Sequence, residues 1–290
     1  SEQIRVWLNP GAGRGSAEAL AREFLAVASA RGHRASILPA GPPETARLVA
    51  EDEMAKGIDR LVVIGGDGTL HQAIQVVART PVALGLLPTG SGNDFAGALG
   101  LGTEPSAAID RALAPSTSID LLRVGDRYGA TVATVGFSVD VTHRAQAIRW
   151  PRGPAKYTAA TLLELPRMRQ FPMTVDLDGR RLDVSPNVVA VANTTMFGGG
   201  MRVAPDARPD DGRLDVIIVG PASPATMLRL LPTVRSGRHT RHGAVSQFRG
   251  ARLVLEADEP YEVQVDGEIL GSTPIEIEVA PGALQMAGLG

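Results

Sequence analysis

The feature that most constrains the fold is a short aliphatic segment that ends in a cluster of glycines. Residues 61–64 read Leu-Val-Val-Ile, and residues 65–69 read Gly-Gly-Asp-Gly-Thr. A short apolar run of this kind is typical of a parallel strand that is buried on both faces. Glycines at its end let the backbone approach an anion, and the N-terminus of a following helix offers free N–H groups. The segment therefore predicts a strand, a phosphate-binding loop and a helix in succession.

The aspartate within this loop indicates which kind of phosphate-containing ligand the loop binds. A carboxylate beside phosphate groups repels them unless a cation lies between. Asp67 therefore indicates a complex of a metal ion with a nucleotide. An ordinary strand-to-helix turn also uses glycine, but three glycines around one aspartate exceed what such a turn needs.

Two further glycine-rich loops follow other predicted strands. Residues 9–16 read Asn-Pro-Gly-Ala-Gly-Arg-Gly-Ser, and residues 88–94 read Pro-Thr-Gly-Ser-Gly-Asn-Asp. Ligands of open α/β sheets bind beyond the carboxyl ends of the strands, so we expect the three loops to form one nucleotide cleft. Taken alone, either loop is equally consistent with an ordinary turn. Neither the lysine-containing P-loop pattern nor the dinucleotide fingerprint is present.

Strand and helix patterns alternate over the first 118 residues, which is typical of a doubly wound α/β domain. The predicted strands are residues 4–9, 34–38, 61–64 and 82–86. The predicted helices begin at Ser16, at about Pro43 and after Thr69, and short helices lie within residues 94–114.

The pattern changes after Pro115, where strand-like segments dominate. They are residues 119–124, 129–138, 173–177, 181–184, 188–193, 214–219, 250–256, 261–265 and 275–279, interrupted by helical patterns at 155–169 and 223–235. Many strands with few helices predict an antiparallel sheet or sandwich. We therefore expect an α/β domain over residues 1–118 and a β-rich domain over 119–282. Residues 283–290 are candidates for a return to the first domain.

The composition argues against several classes of protein. The 290 residues carry 29 Lys and Arg against 31 Asp and Glu, whereas nucleic-acid binding needs a basic surplus. Cysteine is absent, which excludes disulfides, a thiol nucleophile and thiolate zinc sites. The apolar runs are far shorter than the roughly 18 residues of a membrane span, and the N-terminus lacks a signal-peptide pattern. These features favour a cytoplasmic protein.

The three loops and several later motifs together resemble the diacylglycerol kinase catalytic-domain family, which includes bacterial lipid kinases, sphingosine kinases and ceramide kinases. The similar motifs are residues 9–13, 65–69 and 88–94, then Gly-Gly-Gly-Met at 198–201, Pro-Asp-Ala at 205–207, Asp-Asp-Gly-Arg-Leu-Asp-Val at 210–216 and Val-Asp-Gly-Glu at 265–268. They follow the family's order over nearly the whole chain. Gly-Gly-Asp-Gly alone is shared with NAD kinases and phosphofructokinases, so the combination carries the resemblance.

The resemblance implies that the first domain binds ATP and that the β-rich domain faces the lipid. It assigns nucleotide contacts to Asn9, Pro10, Gly11, Ala12, Gly13, Gly65, Gly66, Asp67, Gly68, Thr69, Leu70, His71, Gln72, Ser91 and Asn93. One departure is the Pro39-Ala40 pair, where the family often has a threonine after the second strand. The missing hydroxyl contact is worth only about 0.5–1.5 kcal/mol.

The resemblance also assigns catalytic residues. It makes Glu268 the general base that accepts the proton of the lipid hydroxyl, within a catalytic motif that includes Asp266. Asp67 and Asp94 are then expected to belong to a water-linked Mg²⁺ network that reaches this base. Phosphoryl transfer depends chiefly on positioning and charge neutralisation, which fits these carboxylates. On local sequence alone, an ordinary hairpin turn is the favoured interpretation of the Asp-Gly pair at 266–267, and the resemblance reverses this preference.

A second, structural Mg²⁺ site is implied at the acidic turn of residues 208–213. By similarity to bacterial lipid kinases, its ligands are the main-chain carbonyls of Arg208 and Arg213 together with the carboxylate of Asp211. Carbonyl, carboxylate and water oxygens are suitable ligands for a hard cation. The alternative is a solvated acidic turn without a metal.

These expectations combine into an ATP- and Mg²⁺-dependent lipid kinase of phospholipid metabolism that converts diacylglycerol to phosphatidic acid. The alternatives are another lipid acceptor, such as a sphingoid base or a different glycerolipid, NAD kinase activity, and a catalytically silent nucleotide- or lipid-binding protein. A lipid substrate implies peripheral, reversible contact with a membrane. The basic amphipathic stretch 152–169 could lie on an anionic membrane, although core packing is the favoured interpretation. Whether the chain is a monomer or a homodimer stays open.

Overall fold

A computed structural model of the chain describes residues 1–9, 11, 16–39, 41–150 and 154–289. It divides the chain into two units, the first formed by residues 1–121 with 281–290 and the second by residues 122–280. The predicted domains, 1–118 with 283–290 and 119–282, differ from these units by two or three residues at each boundary. No helix of the described residues is long and apolar enough to cross a membrane.

The first unit alternates strands and helices in the order predicted from the sequence. Its elements are β1 (Gln3–Leu8), α1 (Ser16–Ala30), β2 (Arg34–Ile37), α2 (Pro43–Ala55), β3 (Arg60–Gly65), α3 (Asp67–Val77), β4 (Ala83–Pro88), α4 (Asp94–Ala98), α5 (Pro105–Ala112), most of β5 (Ser116–Val124) and the end of β16 (Ile275–Ala287). The parallel strand order is β2-β1-β3-β4, and the end of β16 adds to β4 through Gln285 and Met286.

The helix periodicity of α1 shows why this unit folds as predicted. Ala17, Ala21, Phe24 and Ala28 recur every three or four residues and are fully buried. They pack against a core that includes residues of β1 and β3, whose positions 61–64 are fully buried on both faces. The all-apolar strand is therefore a central strand of a parallel sheet.

The second unit is built from antiparallel strands. After β5, its elements are β6 (Arg127–Gly129), β7 (Val132–Gly136), α6 (Phe137–Ala147), α7 (Pro154–Glu164), β8 (Met173–Leu177), β9 (Arg180–Val184), β10 (Val188–Ala192), β11 (Leu214–Val219), α8 (Pro224–Val234), β12 (Val245–Gly250), β13 (Arg252–Glu256), β14 (Glu262–Val265), β15 (Glu268–Ser272) and the start of β16. One six-stranded sheet has the order β12-β11-β10-β7-β14-β15. In the other layer the start of β16 pairs with β13, β13 pairs with β8, and β8 pairs with β9.

The core of the second unit lies between these two layers. Val189, Val216 and Val263 come from the six-stranded sheet, and Val175 and Leu253 come from the other layer. All five are fully buried and belong to one apolar cluster. The predicted class, an α/β domain followed by an antiparallel β-rich domain, is therefore confirmed.

Several predicted boundaries were wrong. The predicted strand 129–138 is two strands, β6 and β7, and continues into α6, a helix that the sequence patterns did not reveal. Strands β12 and β15 were not predicted, and β16 extends from residue 275 to 287, well past the predicted end at 279.

Candidate active site

Side-chain and backbone hydrogen bonds join the first and second predicted loops. The Asn9 backbone N–H donates to the carbonyl of Ile64 at 3.0 Å, and its side-chain Nδ2 donates to Thr69 Oγ1 at 3.1 Å. Asn9 Oδ1 also accepts a hydrogen bond from the Gly11 N–H at 3.0 Å. Asn9 therefore connects the end of β1 with the loop that begins α3, and the two predicted loops do converge.

The second and third loops approach so closely that only glycine fits between them. Thr89 donates its N–H to the Gly65 carbonyl at 2.9 Å. A Cβ at Gly90 would lie 2.6 Å from the Cα of Gly66, and a Cβ at Gly65 would lie 2.8 Å from the side chain of Thr69. Gly66 and Gly90 are therefore required by backbone contact between the loops at the carboxyl ends of β3 and β4, and Gly65 by contact with Thr69 within its own loop.

Asp67 connects the same two loops through its carboxylate. Its Oδ2 accepts a hydrogen bond from the Asp94 N–H at 3.1 Å, and its Oδ1 accepts one from the Phe95 N–H at 3.3 Å. Asp67 thus satisfies free N–H groups at the start of α4, where a negative charge is favourable. The carboxylate positions Asp94, which is itself half-buried in the third loop.

The side chain of Asn93 stabilises the third loop through two hydrogen bonds to Gly90 of the same loop. Its Oδ1 accepts from the Gly90 N–H and its Nδ2 donates to the Gly90 carbonyl, each at 2.9 Å, and its backbone has φ 53° in the left-handed region. The side-chain amide is therefore engaged within the loop, whereas Ser91 is exposed. Ser91 is the better candidate for a side-chain contact with a ligand.

The residues of α3 that were predicted to contact a nucleotide differ in how exposed their side chains are. Leu70 and His71 are 2% and 1% exposed, so their side chains belong to the core. Gln72 is half-buried and Gly68 is exposed. The predicted contacts Pro10, Ala12 and Gly13 lie outside the described residues, as does the Ala40 position of the missing threonine.

The late Asp-Gly-Glu motif forms the tight turn between β14 and β15. Asp266 and Gly267 have φ of 52° and 96°. The Asp266 carboxylate accepts hydrogen bonds from the N–H groups of Ala130 at 2.7 Å and Thr131 at 2.8 Å, and from Thr131 Oγ1 at 2.6 Å. Asp266 therefore holds the turn against the loop between β6 and β7, and its predicted catalytic role stays a prediction.

Glu268 differs from its neighbour in the motif. It is the first residue of β15, pairs with Val265 in the ladder and is exposed to solvent. Gln264 Nε2 donates to the Gly267 carbonyl at 2.9 Å and so fixes the turn that precedes Glu268. Glu268 is thus an accessible carboxylate on a rigid hairpin, which suits a group that must meet a substrate.

The acidic turn predicted to hold a structural Mg²⁺ has a different set of contacts. Asp211 Oδ1 accepts from the Arg213 N–H at 3.1 Å, and its Oδ2 accepts from Arg249. Arg208 pairs with Asp210 at 3.2 Å. Within the described residues, no group of three or more His, Cys, Asp or Glu side chains could hold a metal. The predicted site, made of the Asp211 carboxylate and the main-chain carbonyls of Arg208 and Arg213, needs no such group, but the guanidinium already bound at Asp211 Oδ2 does not fit a second cation at the same oxygen.

A cavity of about 170 Å³ lies within the second unit and was not foreseen from the sequence. Phe137, Phe171 and Tyr261 form its apolar walls, and Asp140 and Arg169 are among its polar lining residues. Burial raises the pKa of the Asp140 carboxyl, and Arg169 opposes this shift. The cavity therefore combines aromatic side chains with charged ones at one place in the second unit. The unpredicted helix α6 carries Asp140, so no sequence pattern pointed to it.

Comparison with known proteins gives matches over nearly the whole chain. Residues 3–124 match the diacylglycerol kinase catalytic domain, and residues 131–288 match the YegS C-terminal NAD kinase beta sandwich-like domain. A diacylglycerol kinase of Mycobacterium tuberculosis is 37% identical, with 98% of this chain and 94% of the relative covered. A Pseudomonas aeruginosa protein named probable lipid kinase YegS-like is 33% identical, with 83% and 80% covered.

The solved structures show the same fold. A crystal structure of a diacylglycerol kinase from Bacillus anthracis has a TM-score of 0.75 to this chain at 20% identity and covers 99% of this chain and 97% of its own. Both halves of the chain thus match in the order that the motifs predicted. The chain therefore belongs to the diacylglycerol kinase catalytic-domain family, a family of lipid kinases.

Proposed function

We propose that this lipid kinase transfers the γ-phosphate of Mg·ATP to the hydroxyl of diacylglycerol. The observation that carries the ATP site is the convergence of three loops at the carboxyl ends of β1, β3 and β4. They are joined by the Asn9–Thr69, Thr89–Gly65 and Asp67–Asp94 hydrogen bonds. Such an arrangement presents backbone N–H groups to phosphates without needing lysine, and only Lys56 and Lys156 occur in the chain.

A cation beside Asp94 would neutralise the negative charge of the nucleotide phosphates. The Asp94 carboxylate lies in the third loop, and carboxylate oxygens are the donors that Mg²⁺ prefers in proteins. Asp67 would act through Asp94, because its own oxygens accept the N–H groups of α4. When bound with ATP, Mg²⁺ neutralises negative charge on the phosphate oxygens.

Glu268 is proposed as the group that takes the proton in the transfer step. The oxygen of the lipid hydroxyl forms a bond to the γ-phosphorus, the bond from that phosphorus to the bridging oxygen of ADP breaks, and the hydroxyl proton passes to the Glu268 carboxylate. The exposure of Glu268 and the rigid turn before it support this role.

The acceptor lipid is proposed to bind the second unit. Its cavity of about 170 Å³ offers Asp140 and Arg169 to a hydroxyl or ester group beside the aromatic side chains of Phe137, Phe171 and Tyr261. The assignment of diacylglycerol follows from the names of the relatives. Pocket shape decides the acceptor, so the transfer assay must include other lipids.

Contact with the membrane is proposed to involve exposed apolar side chains on and around α7. Trp150 is 84% exposed, Tyr157 50%, and Leu162 and Leu163 53% each. Arg149 and Arg167 are exposed near them and could meet anionic lipids. The favoured core interpretation of this stretch was therefore wrong for Tyr157 and Leu162.

The rest of that amphipathic stretch has a different environment. Leu165 is buried with Phe137 and Met227, and Met168 is partly buried against the same cluster, as the core interpretation predicted. Arg152 lies outside the described residues.

The first experiment is transfer of labelled γ-phosphate from Mg·ATP in mixed micelles. Diacylglycerol, sphingosine, ceramide and monoacylglycerol are the acceptors, and NAD is the soluble control. We expect labelled phosphatidic acid, and its loss in Glu268→Gln but not in Glu276→Gln, an exposed glutamate of β16 paired with Arg252. Label in sphingosine phosphate would correct the acceptor, and label in NADP would refute lipid phosphorylation.

The membrane proposal is tested separately by co-sedimentation with anionic vesicles. The double change Leu162→Ser with Leu163→Ser should reduce binding several-fold, because it removes two side chains available for insertion. Leu48→Ser is the matched control, since Leu48 is 55% exposed on α2 of the first unit. Equal binding of both variants would refute the assigned surface.

A further inference from the structure

The cluster around the acidic turn contains a positive side chain at the position where similarity to bacterial lipid kinases implied a metal. Strands β11 and β12 are antiparallel, and their register places Arg249 directly opposite Asp215. Arg249 Nε lies 3.3 Å from Asp215 Oδ1, and Arg249 Nη2 donates to Asp211 Oδ2. One guanidinium from β12 therefore bridges two carboxylates four residues apart, one in the acidic turn and one at the start of β11.

The two carboxylates need a counter-charge because of where they lie. Asp215 is only 7% exposed, and its Oδ2 has no hydrogen-bond partner in the described structure. The Asp211 side chain is 23% exposed. A pair of carboxylates this poorly solvated is strongly unfavourable unless a cation neutralises it.

Arginine suits this position better than lysine would. Its planar fork offers several N–H donors in fixed directions, so Nε and Nη2 reach two different carboxylates at once. The Arg249 side chain is 44% exposed, so its own charge stays partly hydrated. A metal ion at Asp211 would have to displace this guanidinium or lie beside it, and two cations at one carboxylate oxygen repel each other.

We propose that Arg249 serves as a built-in cation that replaces the structural Mg²⁺ implied at this turn, so that Asp211 and Asp215 are neutralised without metal. The guanidinium ties the turn of residues 208–213 to β12 and does so permanently, since arginine stays protonated in proteins. The inference concerns the stability of the second unit and stands whichever lipid is phosphorylated.

The test is the thermal unfolding of the full chain in the absence of nucleotide, with chelator and then with millimolar Mg²⁺. Four proteins are compared: the wild type, Arg249→Met, Asp211→Asn and the double variant. We expect no difference in the Mg²⁺ response of wild type and Asp211→Asn. A response common to both comes from other sites and is subtracted.

Arg249→Met should lower the unfolding temperature by roughly 4–8 °C, because two carboxylates lose their counter-charge. It should then gain a Mg²⁺-dependent recovery that is absent from the double variant. Arg249→Lys keeps the charge but cannot reach both carboxylates, and we expect an intermediate unfolding temperature.

Three results would overturn the proposal. The first is a saturable Mg²⁺ stabilisation of the wild type that disappears in Asp211→Asn, which would mean that a metal resides at the turn. The second is an Arg249→Met variant as stable as the wild type. The third is a destabilised Arg249→Met that Mg²⁺ does not rescue, which would reduce Arg249 to an ordinary ion-pair partner.

Discussion

Asp266 and Glu268 are two residues apart, yet the structure predicts opposite consequences for their removal. Asp266→Ala deletes the acceptor of three hydrogen bonds from Ala130 and Thr131. Glu268→Gln changes an exposed group at the start of a strand. We expect the first change to act on stability and the second on turnover.

The magnitude for Asp266→Ala follows from the donors that it leaves behind. Ala130 is 2% exposed and Thr131 is 5% exposed, so water reaches their N–H groups poorly. Each buried donor without a partner costs about 1–3 kcal/mol, and two such amides cost about 2–6 kcal/mol. The Thr131 hydroxyl can rotate toward another acceptor and is left out of this figure. The loss is large beside the roughly 5–15 kcal/mol that stabilises a typical protein.

The assay is urea unfolding of the full chain followed by circular dichroism, together with hydrogen exchange of peptides that cover residues 127–136. Asp266→Ala should lower the unfolding midpoint of the second unit and accelerate exchange at these residues. Thr131→Val removes only the hydroxyl bond and should cost about 1–3 kcal/mol. Glu268→Gln should stay within about 0.5 kcal/mol of the wild type, as exposed substitutions do.

The reasoning fails if Asp266→Ala unfolds at the wild-type midpoint, since the three bonds would then contribute nothing. It also fails if Glu268→Gln is destabilised as much as Asp266→Ala. Kinase activity provides a second comparison. Glu268→Gln should lose turnover while remaining folded, whereas Asp266→Ala should lose activity in proportion to its unfolded fraction.

Two further predictions concern the loops and the second unit. Gly90→Ala places a Cβ 2.6 Å from the Gly66 Cα, so it should lower the stability by about 1–3 kcal/mol and weaken ATP binding measured by calorimetry. Gly102→Ala is the control, because open space surrounds the position of its Cβ, and it should change neither quantity. Equal ATP affinities of the two variants would refute this prediction. Burial lowers the pKa of the His239 imidazole below its ordinary 6.5, because the folded protein disfavours the charged ring. The stability that depends on a neutral His239 is therefore fully present above about pH 6.5 and is lost as the pH falls through the lowered pKa. The urea midpoint should therefore fall below about pH 6.5 less steeply in His239→Asn than in the wild type.

The parts of the fold that the sequence predicted well are those where one local rule acts alone. Residues 61–64 are apolar on both faces and form a central strand, and the glycines after them form a loop at its carboxyl end. Periodic burial in α1 likewise follows from its own residues. In these segments, local pattern and tertiary environment agree.

Helix α6 shows why other parts could not be predicted. Residues 137–141 alternate apolar and polar side chains, which is a strand pattern, and β-branched residues such as Val139 disfavour helix. The helix is held by tertiary contacts, including the ion pair of Arg144 with the buried Glu164 of α7. Such a contact joins residues 20 positions apart and leaves no periodic signal.

The candidate site shows the same division between residue type and residue role. Motifs identified Asp67 and Asn93 as candidates for ligand contact, and the structure shows that each side chain also holds a loop. A carboxylate or amide in a glycine-rich loop has both uses, and only its hydrogen-bond partners distinguish them. The Arg249 bridge depends on strand register between β11 and β12, which the sequence did not reveal because β12 itself was not predicted.

Strand β16 has a consequence for the order in which the protein can be completed during synthesis. Its last residues pair with β4 of the first unit, where Leu284 is fully buried and Ala283 nearly so. The first unit begins at residue 1 but lacks one strand of its sheet until residues 281–287 have left the ribosome. The nascent first unit must therefore wait, with one edge of β4 unpaired, while the whole second unit is translated. The sheet that carries the three glycine-rich loops is completed only when the second unit has already been made.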